Sequence, residues 1–497
     1  MAHEPLKIVM LAAEASPLAK VGGLGDVIAA LPKALEQLGA QVSVVIPAYR
    51  SIRTDAAAVH PCKAVPGFDV AMASSVQSAE ILQARLSGTQ VDVYLIASRN
   101  YFDRDGIYTD PATGEGYPDD AERFTFFMKS ALELLVRIGK SVDVIHCHDS
   151  QTALVPAMLK LNYQGHPFFS KAGTLFTIHN LAYQGIYPRK ALDHAGISPD
   201  HFYPQSPFEY WGQVNFMKAG IAFADKVNTV SRTYAREILS DPEFGFGLEG
   251  VLQSRAADVS GIVNGIDYDE WNPEADPLIA ARYSIRDRSG KKRCKEDLQR
   301  RFRLPVAPAV PLLGIVSRMV DQKGFDLLAE AMGSLMALNL QLVILGTGQQ
   351  KYHSIFRQIA SRYPGRVGVE LSFDNELAHK IEAGCDMFLM PSKFEPCGLN
   401  QLYSLRYGTI PIVRKTGGLA DTVIQFDGGG GTGTGFSFSQ YSPEAMLAAI
   451  RQALTVYDDA GAWEALIVRA MSQDWSWSRS AGQYLQLYQN ICSTKLS

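Results

Sequence analysis

At 497 residues the chain is too long for one ordinary core and divides into two or three domains. A formal net charge of −4, with 47% hydrophobic and 20% charged residues, describes a soluble globular protein and gives no reason to expect a nucleic-acid partner. No apolar run approaches the roughly 20 residues of a membrane span, and six cysteines without a CxxC pair fit a reduced compartment better than a disulfide framework.

The chain enters the apolar run Leu6–Ala13 almost at once, with no basic n-region or Arg/Ser-rich leader. The expectation is a cytoplasmic enzyme acting on a small molecule or a polymer. Strands are predicted at Ile8–Ala12, Val42–Ile46, Val91–Ile96, Val142–His148, Thr174–Ile178, Lys226–Thr229 and Gly261–Val263, with helices such as Ala121–Ile138 and Gln151–Leu161 between them. The alternation breaks into turn chemistry at Asn264-Gly-Ile-Asp-Tyr-Asp-Glu-Trp-Asn-Pro273, and the strongly charged segment Arg282–Arg303 follows. It then restarts with strands predicted at Leu312–Ser317, Leu340–Leu345, Met387–Pro391 and Ile410–Val413. Alternating elements imply a doubly wound parallel sheet, here in two Rossmann-like domains joined near residue 264. The glycine tract Gly428–Gly435 reads as a flexible surface turn.

Ligands of such sheets bind beyond the carboxyl ends of the strands, and the residues there are unusually polar. After the first strand comes Lys20-Val-Gly-Gly-Leu-Gly-Asp-Val27, nearly copied at Lys415-Thr-Gly-Gly-Leu-Ala-Asp-Thr422. A Gly-Gly pair at a helix start lets backbone N–H groups approach an anion, and a lysine ahead of it adds charge. Two copies suggest two similar halves facing one phosphate-bearing ligand. Arg318 and Lys323 follow the strand at 312–317 and read either as a phosphate fork with a point charge or as a solvated basic pair. Glu395 precedes Pro396 and a helix start, where a carboxylate either caps the helix or faces a ligand. Val142–Asp149 ends in His146, His148 and Asp149, and the next strand ends in His179 and Asn180. His-x-His can be a metal pair, but no further ligands stand at useful spacing. A polar strand end touching a sugar or base is the stronger reading. Phe124–Phe127 and the pair Trp475/Trp477 read as packing residues, and Lys415 keeps both readings open.

Taken in order, Lys20-Val-Gly-Gly-Leu-Gly-Asp, His148-Asp149, Thr177-Ile-His-Asn180, Asn264-Gly-Ile-Asp, Ser317-Arg318 with Lys323-Gly324, Phe394-Glu-Pro-Cys-Gly-Leu399 and the second glycine octet resemble the bacterial glycogen synthases and plant starch synthases. The similarity runs from about residue 6 to the end, and the lack of a transit-like leader favours the bacterial form. The resemblance implies an α/β GT-B fold, two Rossmann-like domains facing across an interdomain cleft. It places an acceptor-side domain at 1–262, a nucleotide-sugar domain at 263–475, and a C-terminal helix at 476–497 packing back on the first domain. It further implies retaining transfer of glucose from ADP-glucose to the non-reducing 4-OH of an α-1,4-glucan such as glycogen. The resemblance also implies that neither metal nor other cofactor is needed, and neither nucleic acid nor membrane is expected as a partner. By matching motif, Lys20, Arg318 and Lys323 would hold the donor diphosphate. Gly23, Cys397, Gly398 and Leu399 belong to the glycine loop and helix start that offer backbone donors to it. Phe373 would lie against the adenine. Asp149, His179 and Asn180 would line the glucose, Glu395 would hold its hydroxyls, and Asn264 falls near the hinge. Glu395, His179, Asp149 and Lys20 form the expected catalytic set.

Two departures stand out. Ser150 occupies a position commonly filled by tryptophan, and Asn400 replaces a usual threonine. Neither removes a charged group, so the activity class is unchanged. A UDP-glucose-dependent relative and a catalytically silent glucan-binding protein are the alternative readings. Base competition separates the first, and loss of Lys20, Glu395 or the Arg318/Lys323 pair would mark the second; none is lost. A nicotinamide dehydrogenase would need GxGxxG at its first strand, which is not the pattern here.

Overall fold

The computed structural model describes residues 4–54, 59–428 and 431–496. Its chain divides into two compact units: Met1–Val230 with Ala235–Ile262 and Trp477–Ser497, and Ser231–Tyr234 with Val263–Ser476. No helix among the described residues is long and apolar enough to cross a membrane.

In the first unit, parallel strands lie in the order Val259–Gly261, Lys226–Thr229, Gly173–Ile178, Val144–His148, Lys7–Leu11, Gln41–Pro47 and Asp92–Ala97. Interior strands such as Gly173–Ile178 are buried along their length, which is why the parallel part reads as continuous apolar runs. Beyond Asp92–Ala97 the sheet turns antiparallel through Val76–Arg85, which pairs with His60–Pro61 and Gly67–Ala71. The sequence reading follows continuous apolar runs and so lacks these strands, since Val76–Arg85 alternates exposed with buried positions. Lys7–Leu11 sits between Gln41–Pro47 and Val144–His148, with Ile8 opposite both Val42 and Val144. The direction of winding therefore reverses at its carboxyl end, where doubly wound sheets open a ligand crevice.

The second unit carries a parallel sheet in the order Val367–Glu370, Gln341–Leu345, Leu312–Val316, Met387–Met390, Ile410–Arg414 and Phe436–Phe438. Its reversal lies between Leu312–Val316 and Met387–Met390, so residues 317–323 and 391–399 leave the sheet there. The two edge strands, Val367–Glu370 and Phe436–Phe438, are not among the strands read from the sequence. The charged stretch at 282–303 contains a helix, Ser289–Arg301, that turns lysines inward. Lys291 Nζ donates to Thr409 Oγ1 (2.6 Å) and Ala383 O (3.1 Å), and Lys295 pairs with Asp386 at 2.6 Å. Burial pulls the Lys291 ammonium down to about 8.

The helix Trp477–Leu496 packs on Gly23–Gln37 and on the strands Gly173–Ile178 and Val144–His148 of the first unit. A Cβ on Gly173 would lie 2.1 Å from Ile491 Cγ2, so glycine permits this approach. Phe124, Phe126 and Phe127 are buried, as is Trp477, and Trp475 packs against the second unit's core. Gly429 and Gly430 of the glycine tract lie outside the described residues. Its far end is packed rather than loose: Phe426 N donates to Gly435 O (2.8 Å), and a Cβ on Gly435 would meet Pro411 O at 2.5 Å.

Candidate active site

The loop leaving Lys7–Leu11 closes on itself. Ala15 and Ala19 exchange two backbone hydrogen bonds of 2.9 Å, so Glu14 and Lys20 bracket a tight turn. Glu14 is 2% exposed. Its Oε2 accepts from Val21 N (2.6 Å) and Gly22 N (2.9 Å), and its Oε1 from the Tyr108 hydroxyl (2.6 Å). Burial raises the Glu14 carboxyl above its ordinary range, against the pull of these three donors. Lys20 pairs with Asp26 at 2.6 Å across the first turn of the helix Gly23–Gln37. Two donors of this glycine loop therefore serve the protein's own carboxylate. Gly23 is exposed at the helix start, and Lys20 is partly exposed.

Asp149 follows Val144–His148 with φ 56° and ψ −176°, a backbone region open almost only to glycine. Asp149 Oδ1 accepts from His179 N (2.8 Å), and Asn180 N also bonds the carboxylate. Desolvation pushes the Asp149 carboxyl up to about 7, opposed by those two bonds. His148 Nδ1 and His179 Nε2 lie 2.9 Å apart and share one proton. Burial holds both imidazoles below their usual range, His179 at about 3, so both are neutral at pH 7. His146 is different: its Nδ1 meets the Tyr488 hydroxyl at 2.8 Å and its Nε2 meets Thr177 Oγ1 at 2.5 Å. With both ring nitrogens engaged in the interior, His146 is a satisfied core residue. Among the described residues, no group of three or more His, Cys, Asp or Glu is placed to hold a metal ion.

In the second unit, Lys323 and Glu395 form an ion pair. Lys323 Nζ donates to Glu395 Oε2 at 2.6 Å, and Ser392 Oγ reaches the same oxygen at 3.0 Å. Both bonds fall on Oε2, and neither engages Oε1. Glu395 makes no capping bond to the helix Asn400–Tyr407, so the capping alternative does not describe it. Behind it lies the second glycine pair: Gly418 N donates to Glu395 O (3.0 Å), and a Cβ on Gly417 would lie 2.0 Å from the same oxygen. This copy of the motif packs against the loop 395–397. Its aspartate, Asp421, accepts from Ser231 Oγ (2.7 Å), Thr233 N (3.0 Å) and Thr233 Oγ1 (2.7 Å). The two copies of the octet therefore differ in what their glycines contact. Lys415 is exposed.

Cys397 is buried and its thiol is pushed up to about 12, so it is no nucleophile at neutral pH. A backbone bond from Asn264 reaches Cys397, while Asn264 Oδ1 is buried without a partner among the described residues. Gly398 has φ +72°, and Gln401 Nε2 ties the carbonyls of Cys397 (3.0 Å) and Gly398 (2.9 Å). Leu399 is the residue at the helix start, and Asn400 Nδ2 donates to Val316 O (2.8 Å), linking helix and strand. Arg318 is exposed on the loop after Leu312–Val316. Phe373 is 81% exposed just before the cap residue Asp374. Ser150 is buried, its Cβ 3.0 Å from where a Gly185 Cβ would stand.

Residues 7–254 match the family described as Starch synthase catalytic domain, and residues 298–464 match Glycosyl transferases group 1. A glycogen synthase of Desulforudis audaxviator is 47% identical over 99% of this chain and 97% of its own length. One from Moorella thermoacetica is 46% identical over 98% of this chain and 97% of its own length. The chain belongs to the glycogen synthase family. The catalytic domain of starch synthase IV from Arabidopsis thaliana, solved bound to ADP and acarbose, superposes with a TM-score of 0.90 at 34% identity. That match covers 98% of this chain and all of the other, and the two-domain α/β fold is of GT-B type. A sucrose-phosphate synthase from Thermosynechococcus elongatus, 17% identical with a TM-score of 0.60 over 98% of this chain and all of its own, shares the fold alone. Membership in the glycogen synthases makes the protein a glucosyltransferase with a nucleotide-sugar donor and a glucan acceptor.

Within that family frame, the structure joins Asp149, His179 and Asn180 by hydrogen bonds, and Lys323 to Glu395. Asn264, Cys397, Gly398 and Leu399 are neighbours, whereas Arg318 and Phe373 stand on separate loops. Sequence reasoning missed Glu14, Tyr108, Asp26, Ser392 and Gln401. Only Asp26 sat inside a quoted motif, and the other four lie outside those motifs.

Asp149 gives a pH-dependent prediction. Its folded carboxyl titrates near 7, above the ordinary value of about 4. The folded state therefore holds the proton more tightly, and this contribution to stability declines as pH rises from about 4 to about 7. Asp149→Asn keeps the side-chain shape and removes the titration. The variant is expected to gain thermal stability relative to the natural chain at pH 8 compared with pH 5, while losing transfer activity. Equal differences in Tm at the two pH values would contradict the assignment.

Proposed function

We propose that this glucosyltransferase takes ADP-glucose as donor and extends the non-reducing 4-OH of an α-1,4-glucan, with retention and without a metal. The observation that carries the reading is the Lys323–Glu395 pair, 2.6 Å long, in the loops that leave the second sheet at its winding reversal. As the glycosidic bond breaks, negative charge builds on the leaving diphosphate and positive charge on the sugar. Lys20, Arg318 and Lys323, with the backbone donors at Gly23 and at Cys397, Gly398 and Leu399, would meet the first, usually the largest catalytic contribution. Glu395 would hold the glucose hydroxyls through Oε1 while Lys323 fixes Oε2. Asp149, His179 and Asn180 would line the sugar, with the imidazoles neutral and hydrogen-bonding. Phe373, free on its loop, would stack on the adenine. A retaining route through a covalent intermediate requires a carboxylate nucleophile paired with an acid about 5–5.5 Å away. No such pair was legible in the sequence, so same-face attack through a short-lived ion pair is the favoured step.

Nucleotide release from ADP-glucose and UDP-glucose, each with and without glycogen, tests the proposal. Glycogen-dependent ADP release with chain lengthening is the expected result. A preference for UDP-glucose would overturn the donor assignment, and release without any lengthening of the glucan would overturn the acceptor assignment.

A further inference from the structure

Glu14 belongs to none of the motifs that mark the site, yet it is among the most heavily bonded carboxylates of the first unit. It leaves the strand Lys7–Leu11 by three residues and is 2% exposed. Burying a carboxylate is unfavourable unless donors replace its water. Val21 N, Gly22 N and the Tyr108 hydroxyl do so at 2.6–2.9 Å. Two of these donors belong to the residues directly after Lys20. The Ala15–Ala19 turn folds the chain back so that Glu14 reaches them, and Ser16 N donates to Gly25 O (3.0 Å). Gly25 completes the arrangement: a Cβ there would lie 3.2 Å from Lys20 Cγ and 3.3 Å from Glu14 Oε2. The lysine stem and the carboxylate therefore converge on a space that any side chain at residue 25 would occupy.

We infer that Glu14 is a positioning residue for the transfer reaction, holding the backbone at Val21 and Gly22 so that Lys20 and the Gly23 helix start are preset for the donor diphosphate. The inference rests on the proposed role of Lys20. Glu14 acts through the loop and not on the substrate. The backbone it clamps has a glycine pair at its centre, which left alone would sample many conformations. Displacing a charge-stabilising group by about 1 Å costs roughly 100-fold in rate, so a clamp here has a measurable kinetic consequence.

A double-mutant cycle on the full chain tests it, with Glu14→Ala, which deletes the acceptor of both backbone N–H groups, Lys20→Ala and the pair assayed for glycogen-dependent nucleotide release. Glu14→Ala is expected to lower kcat roughly 10- to 100-fold, with donor KM changed less than about threefold. The double variant should be no slower than Lys20→Ala within about twofold, because the clamp has nothing left to position. Multiplicative losses would show that Glu14 acts independently of Lys20 and overturn the inference, as would wild-type turnover by Glu14→Ala beside an inactive Lys20→Ala. Full activity of Lys20→Ala would instead remove the Lys20 reading beneath it, a separable result. If Glu14→Ala fails to fold, Tyr108→Phe, which deletes only the third donor, enters the same cycle. A smaller loss that vanishes on the Lys20→Ala background supports the inference, and one that persists there refutes it.

Discussion

Glu395→Ala is expected to reduce glycogen-dependent nucleotide release by on the order of 10²–10³-fold, the scale for loss of one preorganised electrostatic contact. The substitution does two things at once. It removes Oε1, the oxygen assigned to the glucose hydroxyls, and it strips Lys323 of its partner at 2.6 Å. Lys323 is 18% exposed at its side chain and Glu395 only 7%, so the freed ammonium is incompletely hydrated and some stability is lost as well. Glu395→Gln separates the effects. The amide keeps the volume and can still accept from Ser392, but it cannot bear the charge. It should be nearly as inactive as alanine while unfolding closer to the natural chain. Turnover near that of the natural chain in either folded variant would remove Glu395 from the reaction.

Gly417→Ala and Gly22→Ala form the second contrast, because they change corresponding positions of the repeated octet. Gly417 has φ +44°, and its Cβ would sit 2.0 Å from Glu395 O and 2.9 Å from Glu395 C. Backbone cannot yield as a side-chain tip can, so the loop carrying Glu395 must move. Overpacking of this kind costs about 1–3 kcal/mol, and the unfavourable φ adds to it. Gly417→Ala should therefore lower Tm and activity together. Gly22 has φ −142° and nothing within 4 Å of its would-be Cβ, so Gly22→Ala should leave Tm within a degree or two of the natural chain, roughly the span of a neutral surface change. Comparable losses in the two variants would show that the copies share one role.

The contrast also shows where a repeat in sequence stops being informative. Both octets start a helix after a parallel strand, and that much follows from local pattern. In the first copy, the neighbouring N–H groups meet the Glu14 carboxylate; in the second, the glycines lie against the Glu395 backbone. A similar divergence separates His146 from His148. They are two residues apart on one strand, yet one is consumed by Tyr488 and Thr177 while the other meets His179.

The sequence by itself determined the alternating α/β elements, the break near Asn264, and the polar residues that follow the apolar runs. These are local properties: strand and helix periods are written within a dozen residues, and a doubly wound sheet delivers its strand ends to the ligand side. Lys20, Asp149, His179, Arg318 and Glu395 were legible for that reason. Only the tertiary structure decided which of them bond. Lys323 meets Glu395 across 72 residues and His146 meets Tyr488 across 342, pairings set by sheet order and helix packing and carrying no local signature. It likewise turned the most charged stretch into a helix, Ser289–Arg301, with buried lysines. Burial of an ammonium depends on partners that lie far along the chain, and no window of sequence contains both.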